Sequence, residues 1–307
     1  MHKIAIASGK GGTGKTFLST NLFMSLCVAG HDTILVDCDA EVPNDHLFLN
    51  GVELCTENTR VLCPEIDTEV CVRCGKCMEF CSYNAITCIP SMNYIKLSTD
   101  LCHGCGACLY ACSVGAVVEQ QKTSGYVTTY EIRDVDNLVA SKVDSSVDKS
   151  LNDSRMDDLI MVEAKLKEGE HSPVPVIRQA IAAAERYQPE YMILDAPPGC
   201  SCPFVSTVSD ADQVILVTEP TPFGLSDLKH TIEVLRSINK PFSVVINRSD
   251  MGDDSMRQYL DSEGIEVLAD FAYSEDIASA YSAGKLVIET SESLRKTFQI
   301  LMSKVLV

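Results

Sequence analysis

Gly9-Lys10-Gly11-Gly12-Thr13-Gly14-Lys15-Thr16 is the stretch on which the fold turns. An apolar, strand-like run (residues 3–7) leads into it and an apolar, helix-like run (17–29) leads out. Glycines let backbone N–H groups converge on phosphate oxygens without obstruction by Cβ. The helix that follows directs its positive N-terminal end at the same place. In this pattern Lys15 reaches the terminal phosphates of a nucleotide and Thr16 holds Mg²⁺.

Outward from the loop, Gly30 stops the helix and a second apolar run (33–36) ends at Asp37-Cys38-Asp39, which is the strand–helix–strand grammar of a parallel sheet. Between about Arg60 and Gln121 the pattern changes to closely spaced cysteines and short loops, so a small domain is expected at 60–121 inside a larger α/β domain made of 1–59 and 122–307. Residues 125–135 alternate as a strand does, with 159–166 as a candidate partner. The Ser/Asp/Lys-rich run 140–158 reads as a mobile loop. Helices are predicted over 174–187, 226–238, 255–262 and 292–305, and strands over 191–194, 213–217, 242–246 and 266–269. The last helix sets Leu294, Phe298, Leu301 and Val305 on one face, which reads as core packing rather than lipid contact because Arg295, Lys296 and Lys304 are too few for a basic lipid-binding face.

Twenty-five basic against 43 acidic residues leave a net charge of −18 in 307 residues, which disfavours nucleic acid and anionic membrane as partners and suits a basic redox partner. No apolar run approaches the roughly 20 residues that span a bilayer, and residues 1–3 run into a strand rather than a signal-peptide core, so a cytoplasmic protein is expected. Fifteen cysteines in such a chain point to metal or cluster ligation instead of disulfides.

Asp195 closes an apolar strand where a Walker-B carboxylate belongs, and Asp37 and Asp39 end another strand on the same sheet edge. Thr16, Asp37 and Asp195 are the candidate magnesium residues, and Lys15 is the candidate catalytic cation. Asn247 and Asp250, after a further strand, offer an amide and a carboxylate for reading a base edge.

Lys10 within the loop, Asp37-Cys38-Asp39, Asp195-Ala196-Pro197-Pro198-Gly199 and the run Thr218 to Leu225 together resemble the MinD/Mrp branch of P-loop ATPases, in the subgroup with an inserted ferredoxin domain; the nitrogenase iron protein is a more distant relative. The resemblance implies two subunits closing face to face over ATP, with Lys10 reaching the partner's nucleotide, Asp39 positioning the attacking water, Asp195 supporting Mg²⁺ and Asn247 contacting the base. Asn247-Arg248-Ser249-Asp250 also looks like the guanine-reading motif of related GTPases; the family favours adenine.

The inserted segment carries Cys71-x2-Cys74-x2-Cys77-x3-Cys81 and, 31 residues downstream, Cys102-x2-Cys105-x2-Cys108-x3-Cys112. Doubled spacing of this kind makes two [4Fe–4S] clusters, each held by three cysteines of one motif and the fourth of the other. The expected ligand sets are Cys71, Cys74, Cys77 and Cys112 for one cluster and Cys102, Cys105, Cys108 and Cys81 for the second. Four thiolates also suit zinc, but zinc pairs usually lack the tight triple run. Ser82 and Ser113 stand where bacterial ferredoxins usually place Pro. Cys200 and Cys202 follow Gly199; in several relatives a cysteine pair near this region binds a metal or cluster bridging two chains, and the alternative is that both thiols simply pack. Two functions fit: ATP-gated electron transfer through two clusters, or an ATP-dependent carrier or scaffold for cluster assembly. The partner chain is a second copy or a paralogue, and the acceptor is a redox or metallocluster protein.

Overall fold

The computed structural model describes residues 1–133 and 159–306. The loop expected at 140–158 lies outside the described residues, as does the end of the strand expected to reach 135. In chain order the elements are β1 His2–Ala7, α1 Lys15–Val28, β2 Thr33–Asp37, β3 Gly51–Ile66, α2 Lys76–Glu79, β4 Ile86–Ile89, β5 Tyr94–Leu97, α3 Ala107–Ala111, β6 Val117–Ile132, β7 Leu159–Leu166 and α4 Val174–Glu185. They continue as β8 Tyr191–Asp195, α5 Cys202–Asp210, β9 Gln213–Thr218, α6 Pro222–Ser237, β10 Phe242–Asn247, α7 Ser255–Ser262, β11 Val267–Phe271, α8 Glu275–Ser282, α9 Val287–Thr290 and α10 Glu292–Val305. Two compact units form, one from residues 1–56, 127–165 and 177–307, the other from 57–126 and 166–176.

The main sheet has the strand order β11-β10-β9-β1-β8-β2-β7-β6-β3. From β11 to β7 every neighbouring pair is parallel, so the mainly parallel α/β sheet read from the strand–helix alternation is what forms. β2 and β8 are buried at every position and β1 over its last four, which is why they read as continuous apolar runs rather than alternating ones. Register then does the positioning. Ile6 pairs with Asp195, Asp195 with Asp37, and Asp37 with Glu163, so one cross-strand row at the C-terminal edge carries three acids next to the strand that feeds the phosphate loop.

α1 is buried along nearly its whole length, although it contains Ser19, Thr20, Asn21 and Ser25. Each of these side chains bonds a carbonyl three or four residues back, which hides its polarity within the helix. At the carboxyl end of the chain, α10 buries Phe298, Leu301 and Val305. Phe298 packs with Phe17 and Phe271 in an edge-on and tilted trio whose ring centroids are 5.2 to 5.7 Å apart, each pair adding about 0.5–1.5 kcal/mol beyond area burial. That face therefore belongs to the core. Among the described residues no helix is long and apolar enough to cross a membrane.

The second unit repeats itself. Its small core joins Cys77, Ile86, Cys108 and Val117, two pairs each 31 residues apart. The left-handed backbone positions repeat at the same offset: Arg73 with Gly104, Gly75 with Gly106, Asn84 with Gly115. A short helix, α2 or α3, starts directly after the second member of each series, and a two-stranded antiparallel ribbon, β4–β5, lies between the motifs. β3 and β6, 16 residues each, carry residues in both units.

Candidate functional site

The loop between β1 and α1 is fixed by three local contacts. Ser8 Oγ donates to the Lys10 carbonyl at 2.6 Å, Gly14 sits at φ 99° as the residue before α1, and Asn247 Nδ2 at the end of β10 donates to the Thr13 carbonyl at 2.8 Å. Gly14 is obligatory twice over, because its backbone is left-handed and a Cβ there would collide with Asn247 Nδ2. Gly14→Ala is expected to cost about 1–3 kcal/mol of stability and, by levering Asn247 off the loop, to weaken binding of a fluorescent ATP analogue by about tenfold or more; a titration and a melting curve measure both.

Thr16 Oγ1 lies 2.8 Å from Asp195 Oδ2 and 3.0 Å from Asn44 Oδ1. Asp195 Oδ1 is buried without a partner. Asp37 accepts three backbone N–H groups: Asp39 on Oδ1 at 3.0 Å, and Asn44 and Asp45 on Oδ2 at 2.8 and 3.1 Å. Its carboxylate thereby shapes the loop that carries Asp39. Burial pushes Asp37, Asp45 and Asp195 above the usual carboxylate range; the neighbouring Asp195 adds to the rise in Asp37, and Asp37 to that in Asp45, whereas Lys15 opposes it at Asp195. Asp39 is pushed up to about 6, by burial against the opposing pull of Lys15. A concentration of buried acids of this kind fits a divalent cation, which replaces protons as the neutralising charge. Glu163, the outermost acid of the row, pairs with His46 at 2.7 Å.

Lys10 sits 3.4 Å from the nearly buried Glu219, which also pairs with Arg248. Glu219 falls inside the run 218–225, and nothing local in the sequence gives it this task, since its partners are 209 and 29 residues away. Asn44 and Asp45 carry only a faint local signal, an Asn-Asp pair starting five residues beyond Asp39 and ahead of an apolar run. Asp250 accepts the Tyr273 N–H at 2.6 Å. Cys200 Sγ contacts Thr231 Oγ1 at 3.3 Å, and the exposed Cys202 begins α5, directly after the loop opened by Gly199, whose N–H bonds the Ser8 carbonyl.

In the second unit Cys81, Cys102, Cys105 and Cys108 line one pocket of about 330 Å³, measured to its open mouth, together with Pro64, Tyr83 and His103. Cys77 is buried, Cys71 and Cys112 half-buried and Cys74 exposed. The fourth cysteine of each motif is held alike: Cys81 Sγ accepts from Ala85 N at 3.3 Å, and Cys112 Sγ from Ala116 N at 3.2 Å. Burial pushes Cys108 up to about 11, whereas at Cys112 the N–H groups of Ala116, Val114, Val117 and Gly115 outweigh burial and bring the thiol down. Among the described residues no three His, Cys, Asp or Glu side chains converge on a single ion.

Comparison with known proteins places the chain in a family and a fold. An uncharacterized protein of Methanocaldococcus jannaschii, MJ0578, is 32% identical over 253 residues, which cover 82% of this chain and 79% of that protein. A 43-residue stretch, 14% of each chain, is 44% identical to an iron-sulfur cluster carrier protein of Saccharolobus solfataricus. Among solved structures, the septum site-determining protein MinD from Pyrococcus horikoshii, complexed with Mg-ADP, superposes with a TM-score of 0.57 at 16% identity, over 99% of this chain and 95% of that one. The model of the CobQ/CobB/MinD/ParA nucleotide-binding domain matches residues 4–287, a span that holds the phosphate loop, the acidic row and Asn247, and with that match the chain belongs to this family.

Proposed function

We propose that the protein hydrolyses ATP and couples nucleotide-driven closure of two chains to electron transfer through two [4Fe–4S] clusters. In this reading residues 1–59 and 122–307 form the nucleotide domain and 60–121 an inserted ferredoxin-like domain. The observation that carries it is the pocket shared by Cys81 and Cys102, Cys105 and Cys108, because it draws one thiol from the first motif and three from the second, the division a two-cluster ferredoxin requires. Cys71, Cys74, Cys77 and Cys112 would hold the other cluster. The tight triple run of each motif is what favours a cubane over zinc, whose paired sites usually lack it. When bound, the clusters would supply one-electron carriers.

The chain's own residues do the rest. Lys15 and the loop N–H groups hold the phosphates, and Thr16 and Asp195 offer oxygens to Mg²⁺. Asp39 in its ionised form orients the attacking water, and Lys10 leaves Glu219 to reach the nucleotide of the facing chain, a second copy or a paralogue. Asn247 and Asp250 border the position of the base. A redox protein is the proposed acceptor.

Anaerobic iron and sulfide analysis, with spectra of the dithionite-reduced protein recorded with and without ATP, tests this directly. About eight irons per chain and a nucleotide-dependent change in signal or in electron delivery are expected; colourless, iron-poor material from oxygen-free preparation refutes it. A second reading, an ATP-dependent cluster carrier, draws on the exposed Cys202 beside Cys200 and on the partial match to a cluster carrier protein. It requires a cluster to leave for an apo-acceptor, and iron content above that of a Cys200→Ser/Cys202→Ser variant.

A further inference from the structure

Asp45 is the acid to which no task has been assigned. It opens a single helical turn, Asp45–Leu47, is fully shielded from solvent, and has no hydrogen-bond partner for either carboxylate oxygen. Its carboxyl group lies against that of Asp195, whose Oδ1 is also buried and unpartnered. Two buried carboxylates in contact are not stable bare; a proton or a cation has to lie between them.

The neighbours favour a cation. Thr16 Oγ1 stands within 3.0 Å of both Asp195 and Asn44, so a hydroxyl, an amide oxygen and two acids gather from three separate segments of chain. These are all hard oxygen donors, and one or two carboxylates completed by phosphate and water is the set that magnesium takes. Both oxygens of Asp37 already accept backbone N–H groups, so the unpartnered oxygens of Asp45 and Asp195 are the freer donors.

We propose that Asp45 supplies the second carboxylate for the divalent cation of the nucleotide site, directly or through one water, opposite Asp195. The proposal rests on the reading of Thr16 and Asp195 as magnesium residues. It makes the cation site largely complete before nucleotide arrives, so that the ion binds to the chain alone.

Mn²⁺, which reports its free concentration by paramagnetic resonance, is the probe for the full-length protein without nucleotide. Wild type is expected to take up an ion that Mg²⁺ displaces, and Asp45→Asn to weaken that uptake by about tenfold to a hundredfold, the usual loss when a residue supporting a metal site is removed. Asp45→Leu guards against misfolding as the cause: lifting a buried like charge is expected to leave its melting temperature in EDTA at or above wild type, while the rise produced by Mg²⁺ in wild type disappears. The proposal is overturned if both variants bind Mn²⁺ as tightly as wild type, or if wild type binds a fluorescent ATP analogue with Mg²⁺ but takes up no displaceable Mn²⁺ on its own. Failure of the underlying nucleotide reading is distinct, because wild type would then bind no ATP analogue.

Discussion

Lys15→Ala is expected to lower ATP hydrolysis by about a hundredfold or more, the loss that follows removal of one preorganised charge from a transition-state site. Lys15 is 8% exposed and is the cation whose field opposes the buried carboxyl groups of Asp39 and Asp195. The substitution therefore removes two things at once: a contact to the phosphates and the counter-charge that keeps Asp39 titrating as low as it does. Asp39 already titrates at about 6 through burial, above the ordinary carboxylate value, so its ionised form is lost as pH falls through 6. Wild-type hydrolysis should accordingly decline on the acid side near that pH. With Lys15 gone the carboxyl group is harder to ionise, so the acid limb of any residual activity should move to higher pH. A phosphate-release assay across pH checks both parts. A variant that hydrolysed ATP at the wild-type rate would mean that the phosphates lie elsewhere.

The parts of the site that could be read in the sequence are those whose chemistry is local. The loop, the strand-end acids Asp37, Asp39 and Asp195, and the doubled cysteine motifs all announce themselves within a few residues. What escaped reading depends on contacts made by folding. Asn247 offers a base-reading amide by its place after a strand, but that its Nδ2 donates to Thr13, 234 residues away, and so holds the loop, is visible only in the fold. Glu219 meets Lys10 only because β9 lies beside β1. Among the elements, α6 begins four residues earlier than its apolar spacing suggested, because Thr221 caps the Gly224 N–H and Pro222 fits the first turn. α5 is not among the expected helices: it is short and opens on Cys202-Pro203, and only Phe204, Thr207 and Val208 recur at helical spacing. β3 gave no signal at all: most of its 16 residues are exposed, so it carries almost no apolar pattern and is held by backbone pairing. The terminal α10, with a fully apolar buried stripe, matched its expected bounds.

The crossed ligation proposed for the cysteine-rich unit makes the second large prediction, since it would fix which pairs of substitutions share a cluster. Cys81 belongs to the first motif by sequence but lines the pocket of Cys102, Cys105 and Cys108. Cys81→Ser alone is expected to reduce iron from about eight to about four per chain, but so would motif-local ligation, because either scheme loses one cluster. Double substitutions separate the two schemes. With crossed ligation Cys81→Ser/Cys105→Ser damages one cluster twice and leaves about four irons, whereas Cys81→Ser/Cys74→Ser damages both and leaves almost none. Motif-local ligation reverses that order. The repeated backbone geometry argues that either loss is confined to its own cluster: Ala85 and Ala116 present the same N–H to Cys81 and Cys112, and the packing of Ile86 and Val117 against Cys77 and Cys108 persists when one sulfur ligand becomes an oxygen. If iron analysis of the anaerobic variants gave the reversed order, the pocket around Cys81 would have to be formed by packing alone, and the assignment of Cys112 to Cys71, Cys74 and Cys77 would fall with it.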